Sequence, residues 1–241
     1  MTREDALFEA ISSGDLAAVQ RLIAAGTNVN ARNESDESVL IQAANGRGGS
    51  DAEKILQAVI DAGAELKADG AKALDKAAES SDSGLFKILL KAGVDVKSRD
   101  EDGKTAIFFA SAENVKPLTD LGLNVNDRDN RQRTPLMGII TPERAKALID
   151  AGANVNAADD DGETPMHWAA GLCDEELINL YLTAGANINA KNKRGETPLS
   201  HALDNQRTNP KSKYQISAVK LLRSKGAVDS REPVKPSPLK K

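Results

Sequence analysis

The sequence is poor in the residues that usually announce chemistry: one cysteine, two histidines and seven aromatic residues in 241. Cys173 alone can form neither an intramolecular disulfide nor a multi-thiolate metal cage, so cysteine usage leaves the redox compartment open. Aromatics at 3% exclude a thick core built on large rings, and the 40% apolar share rests on Ala, Leu, Val and Ile, which suits thin, closely stacked helices. No run of about 18 apolar residues occurs, and Met1-Thr2-Arg3-Glu4-Asp5 has no basic stretch leading into an apolar one. The expectation is a soluble chain with no membrane insertion, cytoplasmic by default and compatible with an exported or periplasmic mature form that has lost a leader. A formal charge of −4 and a pI near 5.4 give no general attraction to phosphate backbones or anionic lipid, so no nucleic acid is expected as partner. Phosphate-binding loops, Gly-x-Ser-x-Gly elbows and His-Glu-x-x-His pairs are all missing, which argues against an enzyme and against a cofactor.

What the chain has is repetition. One phrase recurs as Ala25-Gly26-Thr27-Asn28-Val29-Asn30, Ala92-Gly93-Val94-Asp95-Val96, Leu121-Gly122-Leu123-Asn124-Val125-Asn126, Ala151-Gly152-Ala153-Asn154-Val155-Asn156 and Ala184-Gly185-Ala186-Asn187-Ile188-Asn189, with weaker copies at Ala62-Gly63 and Lys225-Gly226. A glycine after an apolar run supplies the left-handed conformation that closes a helix, so each copy is read as a helix stop. A second phrase, seen at Asp102-Gly103-Lys104-Thr105, Arg133-Thr134-Pro135-Leu136, Asp161-Gly162-Glu163-Thr164-Pro165 and Arg194-Gly195-Glu196-Thr197-Pro198, combines a tight turn, a Thr cap and a first-turn Pro. Each of these is read as a helix start.

Thr164-Pro165-Met166-His167-Trp168-Ala169-Ala170 nearly matches the Thr-Pro-Leu-His-x-Ala signature, and Thr134-Pro135-Leu136 and Thr197-Pro198-Leu199 match it in part. On these motifs the chain resembles the ankyrin-repeat family. The resemblance implies an all-α fold, an ankyrin-repeat solenoid of stacked helix-turn-helix units with β-turn or hairpin tips. It covers a single domain, 4–230, in seven repeats at about 4–32, 33–69, 70–99, 100–128, 129–158, 159–191 and 192–230, followed by a Pro- and Lys-rich tail at 231–241 expected to be mobile or surface-lying. The stop glycines are 29 to 41 residues apart, so the array is irregular. Asn45 to Ser50 and Asn205 to Tyr214 read as lengthened loops between the paired helices of the second and seventh repeats. Asn114 to Pro117 and Thr141 to Glu143 read as compressed ones in the fourth and fifth, with Thr141 and Pro142 still starting a helix.

The resemblance also implies where a partner docks: a concave face to which the x position of the signature points. Glu9, Gln42, Lys76, Phe109, Gly138, Trp168 and His201 fall at that position. Phe109 and Trp168 bracket Gly138, and an exposed aromatic pair around a gap has the make-up of a protein-binding hot spot; the competing reading has each ring filling space against a neighbouring helix. The turn tips add alternating charge: acidic Asp102, Asp160 and Asp161, basic Arg131, Arg133 and Arg194. Such alternation can set register with a partner, although Asp and Asn also belong in tight turns for their own sake. His167 is read, from the resemblance, as the histidine that ties adjacent turns by hydrogen bonds. Cys173 stands where the repeat commonly has Gly and is read as a packing variant. A calcium loop from Asp159 is ruled out because its closing position is Ala170. The function expected is a module that binds one other protein, as an inhibitor or sequestering, self-protecting partner of an enzyme, and that is monomeric before complex formation. The alternative is a structural scaffold or self-assembling subunit.

Overall fold

A computed structural model describes residues 2–80, 83–138, 140–208 and 212–231. The expected tail lies, from residue 232 on, outside the described residues, and Arg231 does not belong with it. Its guanidinium pairs with Asp204 at 2.6 Å and Asp229 at 3.0 Å, and donates to the Ser200 carbonyl. Among the described residues there are twelve α-helices and no sheet, the one extended pairing being an isolated bridge between Arg32 and Ser38 at a turn tip. The chain forms two compact bodies, 1–130 and 131–241.

The N-terminal body contains α1 (Arg3–Ser13), α2 (Leu16–Ala24), α3 (Val39–Ala44), α4 (Ala52–Asp61), α5 (Leu66–Glu79), α6 (Ser83–Lys91) and α7 (Ala112–Asp120). The C-terminal body contains α8 (Pro142–Asp150), α9 (Pro165–Leu172), α10 (Glu175–Thr183), α11 (Pro198–Thr208) and α12 (Lys213–Ser224). First helices stack on first helices, α1 on α3, α3 on α5 and α9 on α11, while each packs against its own second helix. Side chains such as Leu7, Leu40, Ile55, Leu74, Leu85 and Leu89 are fully buried between them, each contributing about 1.5–3 kcal/mol of hydrophobic stabilisation.

The expected stops are present. All seven stop glycines have φ between 77° and 100°, and a Cβ built on any of them meets nothing, so backbone conformation alone requires glycine there. The first Asn of the phrase closes a local turn by accepting from the amide two residues on, as Asn28 does from Asn30 and Asn187 from Asn189. The second Asn joins neighbouring repeats. Asn30, Asn156 and Asn189 each donate to the carbonyl of the next stop glycine (Gly63, Gly185, Gly226) and accept from the amide two residues beyond it (Glu65, Asn187, Val228). A side-chain amide carries one acceptor and a donor pair in a plane, and so matches a backbone C=O and N–H together.

The starts hold in part: Pro165 and Pro198 open helices after Thr164 and Thr197, whereas Thr105 begins only a 3-10 turn and Thr134 begins no helix among the described residues. Thr2 and Thr164 sit in capping boxes, and Thr141 accepts from the Arg144 amide with Pro142 in the first turn of α8. The expected boundary between the second and third repeats at 69/70 falls inside α5, because nothing between Gly63 and Leu66 breaks the chain and the third repeat has no turn tip. The expected compressed loop at Asn114 to Pro117 is helical, within α7, and the compression lies in the first helices instead. In the fourth repeat that helix is a single 3-10 turn, Ala106–Phe108; in the fifth, the described residues 134–138 form only a turn. The reason is spacing. Five residues lie between Thr105 and the next cap Ser111, against nine between Thr164 and Asp174, so a two-turn helix like α9 has no room.

Both shortened repeats are held from the side. Asn114 donates to the Ala78 and Ser80 carbonyls at 3.0 and 2.6 Å, and the Ser111 amide donates to Ala78, so the start of α7 caps the end of α5. In the C-terminal body the fully buried Tyr181 of α10 donates its hydroxyl to the Leu136 carbonyl at 3.1 Å. In the second repeat Asn45 to Ser50 is a loop ending in a 3-10 turn at Gly49–Asp51, as expected; in the seventh, α11 runs on through Thr208 where a loop was expected from Asn205.

Candidate binding surfaces

In the N-terminal body an open cleft of about 420 Å³ lies between α5, the tip at 35–37 and the tip at 100–102. Seven carboxylates line it against two lysines. Lys72 is bound to Glu101 at 3.2 Å and Lys76 to Glu79 at 3.3 Å, so both cations are already engaged. Phe109, placed by the 3-10 turn, is partly buried on the cleft wall, and the Lys104 ammonium stands 5.8 Å from its ring centroid while also bonding Asp102 at 2.8 Å. At the floor is Asp75 of α5, 8% exposed, with no hydrogen-bond or ion-pair partner among the described residues. Burial, and then the facing Asp100 and Glu79 carboxylates, push its carboxyl up to about 7, against the lowering effect of Lys76 and Lys104.

In the C-terminal body a smaller open pocket, about 350 Å³, is lined by Glu163, His167, Trp168, Gly171, Leu172 and His201. His167 is fully buried in its wall. Its Nδ1 accepts from the Thr164 amide at 3.1 Å, which fixes the proton on Nε2, and Nε2 donates to the Glu196 carbonyl of the next tip at 3.2 Å. That is the turn-tying role the resemblance implied, and burial, despite this bond and the nearby Glu163, holds the imidazole below its ordinary pKa. His201 packs edge-on against it at 5.3 Å with Nε2 3.3 Å from Glu163 Oε1. The facing carboxylate raises the His201 pKa despite burial. Burial pushes Glu163 up, but His201 and the Asn192 amide, which donates to it at 2.7 Å, bring it below the usual value.

Glu163, Glu196 and His201 form the one group among the described residues whose ligand atoms converge within reach of a metal ion. Arg194 already pairs with that charge, 2.7 Å from Glu196 and 3.5 Å from Glu163, so the cluster is an ion-pair network. Trp168 is partly buried, and its Nε1 is enclosed without an acceptor.

The expected site residues thus separate. Phe109 and Lys76 line the N-terminal cleft with Asp102 on its rim; Trp168 and His201 line the C-terminal pocket with Arg194 at its edge. Gln42, expected on the exposed row, is 9% exposed and donates to Ser12 Oγ at 2.7 Å, because α1 packs directly over it. Gly138 has φ 118° with open space around a would-be Cβ, so the turn that replaces the first helix requires it, not room for a neighbouring ring. The expected saddle around it joins residues of different bodies, Phe109 of one and Gly138 and Trp168 of the other. Arg131, Asp160 and Asp161 are exposed at tips whose backbones interlock, Asp160 donating to the Arg131 carbonyl and Lys193 to that of Asp161; Arg133 is partly buried. Asp75 and Glu163 were missed. The signal for Asp75 was available, since it holds the place in the third repeat that His167 holds in the sixth.

Paired helices stacked first on first, joined by interlocking tips, define a helical-repeat protein, and the two clefts described lie beside its tips and first helices. A family model of ankyrin repeats in three copies matches residues 7–100 and 138–232, and the chain belongs to the ankyrin-repeat family. It is similar to the crystal structure of the human ASB11 ankyrin repeat domain, at 27% identity and a TM-score of 0.66, over 90% of this chain and 96% of that one. No curated protein matches it. Ankyrin repeats generally mediate protein–protein interaction and are typically without catalysis of their own. Among the described residues no helix is long and apolar enough to cross a membrane.

Proposed function

We propose that the chain binds one protein partner through the tips and first-helix side chains that border these two clefts, and that it acts by occupying an enzyme and holding it inactive. The observation that carries the location is that Phe109 and Trp168, at one position of the repeat, both stay partly exposed on the wall of an open cleft. Large rings gain most when a partner takes them out of water. Repeats take up most of the sequence, which favours action by occupancy. The test is capture of the partner from source cells, identification by mass spectrometry, and calorimetry with Phe109→Ala and Trp168→Ala. At least one variant is expected to bind about 30-fold more weakly, the equivalent of a hot spot of about 2 kcal/mol. Undiminished binding by both sinks the location, and a partner whose activity is unchanged at stoichiometric chain sinks the inhibitory role.

A further inference from the structure

Buried carboxylates are ordinarily paired or hydrogen-bonded, because desolvating the charge is costly. Asp75 is neither, and it borders an open cleft whose other carboxylates, Asp36 and Glu37 from one tip and Asp100 and Glu101 from another, surround it on two sides. The arrangement concentrates negative potential on a group that Lys76 and Lys104 offset only in part. A divalent ion is poorly served by it: no three of these carboxylates bring ligand atoms together as Glu163, Glu196 and His201 do. A nucleic acid is repelled by the same field. What fits is a cation on a stem, long enough to reach the floor and apolar enough to lie along Phe109. Lys104 shows that this ring accepts an ammonium over its face.

We propose that this cleft recognises a lysine or arginine side chain of the protein partner, its charged head on Asp75 and its aliphatic stem against Phe109. The assignment rests on the protein-binding reading and narrows the partner to one presenting a basic segment. Binding a cation beside Asp75 favours its ionised form, so complex formation near neutral pH releases a proton. The groups facing Asp75 are Glu79, Asp100, Lys76 and Lys104.

The full chain is titrated with an acetylated, amidated Gly-Ala-Lys-Arg-Lys-Ala-Gly peptide at low salt, by calorimetry in two buffers of different ionisation enthalpy and by amide chemical shifts. The expected result is binding with shifts concentrated at 35–37, 72–79 and 100–109, proton release, and a loss of about tenfold or more in Asp75→Asn. Asp75→Asn removes a burial penalty, so weaker binding cannot be put down to unfolding, and a thermal melt confirms it. Glu79→Gln, at the rim, is expected to weaken binding about threefold. Binding by Asp75→Asn within about twofold of the parent, or shifts spread equally to the acidic tip at 159–161, overturns the site. Spermine binding as tightly as the peptide, with the same shifts, shows that the cleft reads charge without a protein stem and overturns the assignment too. A captured partner that Asp75→Asn holds with full affinity overturns this site and leaves the protein-binding reading standing; a partner lost by Trp168→Ala alone does the same.

Discussion

Asp75 and His167 occupy the same position in two repeats, each near the wall or floor of an open cleft, and their circumstances are opposite. His167 has every polar atom engaged, on Thr164 and on the Glu196 carbonyl, and is held neutral. Asp75 has no hydrogen-bond or ion-pair partner among the described residues, and burial with the facing carboxylates pushes its carboxyl up to about 7. The position itself is constant: it faces the neighbouring tip. In the sixth repeat that tip offers a carbonyl for the ring to bind. The third repeat has no tip of its own, α5 starting straight after the stop at Gly63, and the neighbouring tip presents Asp100, which cannot satisfy another carboxylate. A buried titratable group that is satisfied belongs to the architecture. One left unsatisfied costs stability and is the better candidate for function.

The comparison breaks most directly through His167→Ala, which leaves the Thr164 amide and the Glu196 carbonyl without partners and opens a cavity. A loss of about 3–4 kcal/mol is expected in urea denaturation, and a loss under about 1 kcal/mol means the ring does not tie the tips. Asp75→Asn is expected to act with the opposite sign. Because the folded-state pKa of about 7 lies above the unfolded value of 3.8, the folded chain binds the extra proton, and the parent loses stability as pH rises from about 4 to about 7. The full shift corresponds to about 4 kcal/mol, and water reaching the carboxylate through the cleft reduces the expected gain of the variant at pH 8 to about 2 kcal/mol. The two proteins are expected to converge near pH 4; denaturation curves that stay parallel across this range show that Asp75 is not the group titrating. The smallest effect is at Cys173, which ends α9 at φ 57°, a left-handed conformation that Gly14 adopts at the end of α1. Cys173→Gly is expected to stabilise by about 0.5–1 kcal/mol, less whatever the buried thiol contributes, and a drop in melting temperature shows that packing outweighs backbone strain there.

The joints of the fold were legible in the sequence because they rest on residues with narrow conformational roles: Gly26 and its counterparts, the Thr caps, Pro142 and Pro165. The missing first helices were harder to see. Asn114 to Pro117 contains a proline and looked like a loop, yet Pro117 is tolerated inside α7, and the deficit was visible only as the distance from Thr105 to Ser111. Phe109 and Trp168 fell on cleft walls as the motif position implied, whereas Gln42 did not, since exposure at that position depends on what lies over it and α1 covers it. Asp75 escaped because its repeat lacks the Thr-Pro start that marks the fifth, sixth and seventh, so no motif points to its histidine position.

The asparagine joint has a consequence for how such a chain can change. Asn30, Asn156 and Asn189 read only the backbone of the next repeat, a carbonyl and an amide N–H that any residue but proline supplies, and never its side chains. The fitting is therefore indifferent to what is fitted. Residues can be gained or lost between one stop and the next, as between Ser38 and Asp51, and the coupling still closes. Surface novelty such as a lone acid in a cleft can arise in one repeat without renegotiating its neighbours.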